Sequence, residues 1–236
     1  MAEGALAASG LRRPCILAGT WGAGRRSDGS TYPTMKTKLL ISAGALTLCL
    51  SAPTAWAQGS SFTTGRGLNG TDYLSPTFLY SNGDNLDYTG VGFRLNKTMH
   101  PSFDLIATTG FTRSERVAGA RADSRDFDAG VRWHTNAGWG RPFVEATLGY
   151  NWWKYVGARD NSLTYAFATG VELQLTEKFS LAPLVGYSEA TDYDDSGDFY
   201  GVLRTNCWLN DRWSVRVNFS FSEDGNGLGA GFAWAF

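Results

Sequence analysis

The last ten residues of the chain alternate between large and small side chains, except at Ala230. The large ones are Leu228, Phe232, Trp234 and Phe236, and the small ones between them are Gly229, Gly231, Ala233 and Ala235. A period of two is that of a β-strand, because side chains on one face of a helix recur every 3.6 residues. The two faces of this strand therefore meet different surroundings, and lipid is the simplest medium for the apolar face.

The same period recurs in ten segments between residues 68 and 236. We place them near 71–81, 86–98, 103–114, 124–135, 141–156, 162–175, 179–190, 198–209, 213–223 and 227–236. No apolar run in this region is long enough for a transmembrane helix. A sheet can cross hydrocarbon only by closing on itself, because lipid offers no partners to backbone amides. The sequence predicts an all-β fold, a closed antiparallel transmembrane β-barrel over residues 68–236, with ten strands and eight as the alternative.

The N-terminal part of the chain carries an export signal. Residues 35–57 contain Lys36 and Lys38, then an apolar run over 39–50 and then Ala55-Trp56-Ala57, which predicts a signal peptide cut before Gln58. Residues 1–34 lie upstream of this complete signal, and we expect them to be an extension from a start codon assigned too early; a genuine N-terminal extension is the alternative. Residues 58–67, rich in Ser, Thr and Gly, predict a flexible segment leading into the barrel.

The charge balance changes once this signal is set aside. Residues 58–236 hold 15 Lys and Arg against 20 Asp and Glu, a net charge of −5. The cations are scattered singly, which argues against a nucleic-acid partner. Only Cys207 remains in this region, which excludes an intrachain disulfide and a cysteine-rich metal site within it. We expect Cys207 on the lipid side of a strand, and we predict no cofactor and no metal.

Short polar connections and aromatic residues predict the two ends of the barrel. Connections near 95–99, 136–140, 175–179 and 209–213 are predicted periplasmic turns, and those between them are predicted to be extracellular. Aromatic rings gather at membrane interfaces, where one end of the ring is wet. The predicted periplasmic band is Trp133, Phe179, Trp208, Trp213 and Trp234, and the predicted outer band is Tyr80, Tyr88, Trp152, Tyr165, Tyr187 and Phe221.

Six charged residues fall on lumen-facing positions close to the periplasmic turns. This lumen charge belt consists of Arg94, Arg132, Glu145, Glu172, Arg204 and Arg216. Neighbouring strands predict Arg132 beside Glu145, Glu145 near Glu172, and Asp104 as a partner for Arg94. Buried charges need partners, so one interpretation is a salt-bridge network that fills the base of a narrow barrel. The other is a constriction that gates a pore, where the excess of arginine would favour anions.

The candidate catalytic groups are few. His100 and His134 are the only side chains that ordinarily titrate near neutral pH, and neither falls beside a serine or paired carboxylates at the outer rim. The pair Asp126 and Asp128 is too isolated to indicate a protease dyad. We therefore expect no enzymatic activity.

The alternating strands, the short turns and the last strand together resemble the small bacterial outer-membrane β-barrels of the OmpA-like and OmpX-like family. In that family the terminal aromatic residue is part of the signal read by the barrel-assembly machinery. The resemblance implies that Phe232, Trp234 and Phe236 carry this signal. It also implies export across the inner membrane with a cleaved signal peptide, followed by integral insertion in the outer membrane.

The same resemblance implies partners and function. The expected partners are outer-membrane lipid and lipopolysaccharide, the barrel-assembly machinery and periplasmic chaperones, with no nucleic acid and a monomeric state. The expected function is membrane integrity or surface interaction, and the alternative is a narrow porin or channel for small solutes or anions. Two acidic connections offer either divalent-cation sites that bridge lipopolysaccharide or merely solvated loops: Asp192, Asp194, Asp195 and Asp198 in one, and Glu223 and Asp224 in the other.

Overall fold

The computed structural model describes residues 16–17, 20–21, 67–83, 87–115, 121–155, 158–191, 197–223 and 225–236. Near the N-terminus, Ile16–Leu17 pairs antiparallel with Thr20–Trp21 in a two-residue ladder. The predicted signal peptide at 35–57 lies outside the described residues, as do 58–66 of the predicted flexible segment and most of the predicted extension at 1–34. Asp192, Asp194, Asp195 and Asp224 of the acidic connections also lie outside them.

Ten long strands account for most of the remaining described residues. They are β1 (Tyr73–Gly83), β2 (Asp87–His100), β3 (Phe103–Ser114), β4 (Ala122–His134), β5 (Arg141–Tyr155), β6 (Ala158–Gln174), β7 (Phe179–Ala190), β8 (Asp198–Trp208), β9 (Trp213–Ser222) and β10 (Gly225–Ala235). Among the described residues, no helix is long and apolar enough to cross a membrane.

The ten strands form one closed sheet. Each strand pairs antiparallel with its neighbour in sequence, and β10 pairs with β1 to complete the ring. The closing ladder runs from Gly225 opposite Gly83 to Ala235 opposite Tyr73. Closure leaves no free sheet edge, so backbone donors and acceptors are satisfied within the sheet. The predicted closed antiparallel barrel of ten strands is confirmed, and the alternative of eight strands is wrong.

The barrel is apolar outside and polar inside. Large apolar side chains are exposed on the outer face, up to 73% for Phe78 and 64% for Leu148. Buried positions are instead occupied by groups such as Arg132, Asp104 and Asn96. In β10, Ala233 and Ala235 are buried whereas Phe232 and Trp234 are exposed, as the alternation predicts. This inversion is the arrangement that a barrel surrounded by hydrocarbon requires.

Three predictions of local detail are wrong. The sequence predicts Tyr88 in the outer aromatic band and Trp208 in the periplasmic band, but both side chains are buried in the lumen. Their strands place them in step with Arg94 and Arg204, because residues an even number apart share a face. Closeness to a strand end therefore does not decide which face a side chain takes. The predicted turn at 95–99 lies inside β2, where Asn96 pairs with Ile106, and the reversal falls at Pro101 and Ser102 instead.

Candidate functional site

Glu145 lies at the centre of a charged cluster in the lumen. Its Oε1 accepts hydrogen bonds from Arg132 Nη2 at 2.7 Å and from Arg204 Nη1 at 2.8 Å. Its Oε2 accepts one from Arg94 Nη2 at 3.1 Å. The three arginines come from β4, β8 and β2, so this single carboxylate of β5 joins four strands across the interior. Charge-assisted hydrogen bonds of this kind are the strong ones in proteins.

Arg132 is almost fully enclosed, with 2% of its surface exposed. Besides Glu145, its guanidinium donates to Asn69 Oδ1 at 2.6 Å and lies 3.7 Å from Asp104 Oδ2. The guanidinium also lies over the ring of Phe143, 5.4 Å from the centroid. A buried arginine must satisfy its donors and its charge within the protein. Arg132 does so through two carboxylates, the side-chain amides of Asn69 and Asn96, and one aromatic face.

Residues 67–72, which we call the crossing segment, precede β1. They run across the end of the lumen that holds the charged cluster. The backbone N–H groups of Leu68 and Asn69 donate to Glu172 at 2.8 and 3.2 Å. The N–H of Gly70 donates to Asp104 Oδ2 at 3.1 Å. The segment is thus held by a carboxylate of β6 on one side and by one of β3 on the other. The backbone of Gly70 is left-handed, with φ of 73°, a conformation that favours glycine.

The far end of the crossing segment is held by β2. Thr71 accepts a hydrogen bond on its carbonyl from Asn96 Nδ2 at 2.9 Å. The carboxylate of Asp72 accepts one from the backbone N–H of Thr98 at 2.7 Å and pairs with Lys97. Burial alone would raise the pKa of Asp72, but the hydrogen bonds from Lys97 and Thr98 and the charge of Lys97 outweigh it and lower the pKa.

Apolar side chains complete the closure at this end. Leu68 packs with Tyr73 and Trp208 and with the two alanines of β10, Ala233 and Ala235. Two small spaces lie beside the charged cluster. One of about 20 Å³ is lined by Leu68, Tyr73 and Arg132, and one of about 70 Å³ is lined by Arg94 and Arg204. Liquid water occupies about 30 Å³ per molecule, so these spaces hold at most a few molecules.

Arg216 differs from the other arginines of the belt. It is 4% exposed and lies over the ring of Tyr73, 5.2 Å from the centroid. Among the described residues, no carboxylate lies within ion-pair distance of it, and its Nε has no hydrogen-bond partner. Together with Arg94 and Arg204 it lines the 70 Å³ cavity. This part of the lumen therefore carries an excess of positive charge.

Two further carboxylates are buried higher in the lumen. Asp126 and Asp128 of β4 are both buried. Asp128 accepts a hydrogen bond from Thr108 Oγ1 at 3.2 Å, whereas Oδ2 of Asp126 has no partner among the described residues. The lumen is thus basic near the crossing segment and acidic above it.

His134 belongs to the charged cluster and not to an outer-rim site. Its Nε2 lies 3.4 Å from Asp104 Oδ1, and both side chains are buried. Asp104 also meets Arg132, so the imidazole adds a third group to an existing ion pair. Among the described residues, no group of three or more His, Cys, Asp and Glu side chains is arranged to hold a metal ion.

The structure brings four of the six predicted belt residues into direct contact: Arg94, Arg132 and Arg204, all on Glu145. Glu172 is separate, with Ser180 Oγ at 3.3 Å and Arg141 Nη1 at 4.0 Å as its neighbours besides the crossing segment. Arg216 lies apart over Tyr73. The predicted pairing of Asp104 with Arg94 is wrong, since Asp104 meets Arg132 and Arg94 meets Glu145. Sequence reasoning missed Asn69, Asn96 and Phe143, which are uncharged and carry no signal of their own.

No family model matches this chain, and no curated protein matches it. Solved structures do. The NanC porin has a TM-score of 0.45 and 8% identity, over 69% of this chain and 100% of that one. The translocator domain of the autotransporter NalP from Neisseria meningitidis has a TM-score of 0.41 and 12% identity, over 86% and 98%. The N-terminal barrel of OprF from Pseudomonas aeruginosa has a TM-score of 0.37 and 15% identity, over 70% and 99%. These likenesses concern the barrel architecture alone.

Proposed function

We propose that this protein is an integral barrel of the bacterial outer membrane whose lumen is closed at one end, and that it serves membrane integrity or surface interaction through its outer face. The observation that carries the proposal is the crossing segment. It spans the lumen between Glu172 and Asp104 while Glu145 holds three arginines beside it. In the closed barrel that we propose, this filling blocks the water path through the lumen, so the work of the protein is done on the outside.

The outer face supports the membrane location. Its exposed apolar residues come from nine of the ten strands, and they include Phe78, Val131, Leu148, Phe167 and Phe232. On β7 the outward-facing apolar residues are half-buried. An apolar surface that surrounds a molecule is costly in water. Large exposed apolar patches therefore mark sites that contact another protein or a membrane. Hydrocarbon removes that cost, because the exposed side chains then meet a solvent as apolar as they are.

Conductance in a planar bilayer tests the closed lumen. We expect the unmodified protein to be silent. Glu172→Gln weakens the hold on the crossing segment and Arg132→Ala removes the guanidinium that fills the base, so both should produce current. Glu189→Gln, a carboxylate change on the outer face, is the control and should stay silent. Stepwise openings of the unmodified protein would contradict the proposal.

A narrow pore for anions is the second candidate, favoured by the cavity beside Arg94, Arg204 and Arg216. Rings of arginine select anions in pores, and here the arginines outnumber the carboxylates nearby. If the unmodified protein conducts and prefers anions, and Arg216→Ser reduces that preference, this candidate replaces the closed barrel.

Assembly by the barrel-assembly machinery, read from Phe232, Trp234 and Phe236, remains a prediction. Substitution of Phe236 by Ser should lower the amount of barrel inserted in the outer membrane of cells. The folded barrel that forms should lose much less stability than it does in Glu145→Ala, because Phe236 is 58% exposed and lies after the end of β10. Export with a cleaved signal peptide is checked in the same cells by the N-terminal sequence of the inserted protein, which we expect to begin at Gln58.

A further inference from the structure

Basic side chains form a row on the outer face at the end of the barrel away from the crossing segment. Directly opposed residues of an antiparallel pair point to the same face. Arg113 of β3 is opposite Asp123, Asp123 is opposite Lys154, and Lys154 is opposite Arg159 of β6. The row therefore crosses four strands at one level and carries three cations and one carboxylate.

The next level down adds a fourth cation between two aromatic rings. Arg125 is opposite Phe111 on one side and Trp152 on the other. The guanidinium carbons of Arg113 and Arg125 lie 5.5 and 5.7 Å from the centroid of the Phe111 ring. We call Arg113, Arg125, Lys154 and Arg159 the basic patch.

The charges of the patch are only partly compensated. Asp123 is bound by Arg113, with Nε 2.6 Å from Oδ1. Asp160 follows Arg159 along β6, and in the strand register it is opposite Trp153 and not opposite a cation of the patch. Lys154 and Arg159 face each other directly, and like charges in that position destabilise a sheet. Arg125, Lys154 and Arg159 are all exposed. The sheet thus holds cations together at a place where an anion would relieve their repulsion.

Below the patch the surface becomes apolar. Phe127, Tyr150 and Leu163 follow at the third level, each opposite the next. A groove of about 1040 Å³ runs along this face, with Phe111, Phe127 and Trp152 along its length. Its upper part is lined by three cations and two carboxylates: Arg125, Lys154, Arg159, Asp123 and Asp160. A ligand that fits both parts has an anionic group above and an apolar body below.

We propose that the basic patch binds the phosphate groups of lipopolysaccharide in the outer leaflet, with an acyl chain along the groove. The proposal rests on the outer-membrane location and names the partner of that outer face. Arginine binds phosphate through paired, charge-assisted hydrogen bonds, and cations at this level lie beside lipid headgroups. Among the described residues, β7 presents a carboxylate on its outer face instead, where Tyr187 Oη donates to Glu189 at 2.6 Å.

Binding to the detergent-solubilised full chain tests the proposal. The probes are lipopolysaccharide, the same lipid with its phosphates removed, and inorganic phosphate, each titrated and followed by native mass spectrometry. The test variant is Arg125→Ser with Lys154→Ser and Arg159→Ser. The control is Lys178→Ser with Arg212→Ser, which removes exposed cations from the opposite end of the barrel.

We expect the triple variant to bind lipopolysaccharide about a hundredfold more weakly, from the attraction that each basic residue contributes near a headgroup. The dephosphorylated lipid should bind the unmodified protein equally weakly, and the control should bind normally. Asp123→Asn, which frees Arg113, should strengthen binding a few fold. Equal affinity of the triple variant and the unmodified protein overturns the proposal, as does equal affinity for the two lipids. If inorganic phosphate displaces lipopolysaccharide when the two are present at the same concentration, the lipid is not the specific ligand of the patch.

Insertion into phosphatidylcholine vesicles, measured first by flotation, separates the two proposals. A chain that stays outside the vesicles overturns the membrane location and the lipid site together. A chain that inserts but does not distinguish the lipids overturns the lipid site alone. The triple variant should insert as well as the unmodified protein, because its substitutions lie at the exposed rim and leave the strand pairing intact.

Discussion

Arg125 and Arg132 lie on the same strand, seven residues apart, and meet opposite surroundings. Arg132 points into the lumen and is bound by Glu145, Asn69 and the nearby Asp104. Arg125 points outward, is exposed, and has the ring of Phe111 beneath it. An odd separation along a strand is what sends them to different faces. The same residue type therefore fills the barrel in one place and offers a ligand site in the other.

Removal of Glu145 should have the largest effect on the free energy of unfolding. It tests the surroundings of Arg132 in the lumen. Glu145→Ala leaves Arg94, Arg132 and Arg204 buried without their shared carboxylate, and a broken buried ion pair costs about 3–5 kcal/mol. Urea unfolding of the barrel in vesicles measures the loss. Glu189→Gln, on the outer face, should change the free energy of unfolding by less than about 0.5 kcal/mol. A cost for Glu145→Ala as small as that of the control would show that the cluster does not hold the barrel together.

A charge placed on the outer face tests the surroundings of that face. Leu148 is among the most exposed apolar residues of the outer wall. Leu148→Arg should lower the free energy of unfolding in vesicles by about 2–4 kcal/mol, as expected for arginine at the bilayer midplane. Leu209→Arg, in the short connection after β8, is the matched control and should cost about 0–1 kcal/mol. Equal costs at the two positions would mean that Leu148 does not face hydrocarbon.

The sequence predicts the contrast between the apolar outer face and the polar lumen. It does not predict which side chains meet inside the lumen. Period-two alternation and the short turns predict the ten strands, the polar lumen and the outward position of Cys207, which is exposed. The belt residues also follow from this parity. Their partners do not, because which side chains meet across a lumen depends on strand tilt and stagger. Glu145 is one carboxylate among several in the sequence, and only closure makes it the common partner of three arginines.

The crossing segment shows a second limit of sequence reasoning. Residues 58–67, which end where this segment begins, have the composition of a flexible linker. Leu68 and Asn69 follow them without an alternating pattern. Their order comes from Glu172 and Arg132, which lie more than sixty residues away along the chain. Local composition carries no record of such distant partners.

Gly70→Ala tests how firmly this segment closes the lumen. An alanine at φ of 73° costs about 1–2 kcal/mol, and its Cβ would lie 3.1 Å from Cε1 of His134. We expect a loss of stability of that size, accompanied by current in a planar bilayer. Gly138→Ala is the control for the backbone cost alone, since its φ is 82° and no atom lies within 4 Å of the added Cβ. If Gly138→Ala also produces current, the current does not depend on the crossing segment.

Asp72 should give the smallest effect, and pH reveals it. Its pKa is lowered in the folded protein from an ordinary value of 3.8, so the folded state binds this proton less readily than the unfolded state. The stabilisation is therefore fully present above about pH 4 and is lost as the pH falls through the lowered pKa. Because Lys97 is half exposed, we expect less than about 1 kcal/mol. The free energy of unfolding of Asp72→Asn, compared with that of the unmodified protein, should differ at pH 7 and converge with it at the lowest pH. A constant difference across this range would show that the charge of the Asp72 carboxylate does not help to anchor the crossing segment.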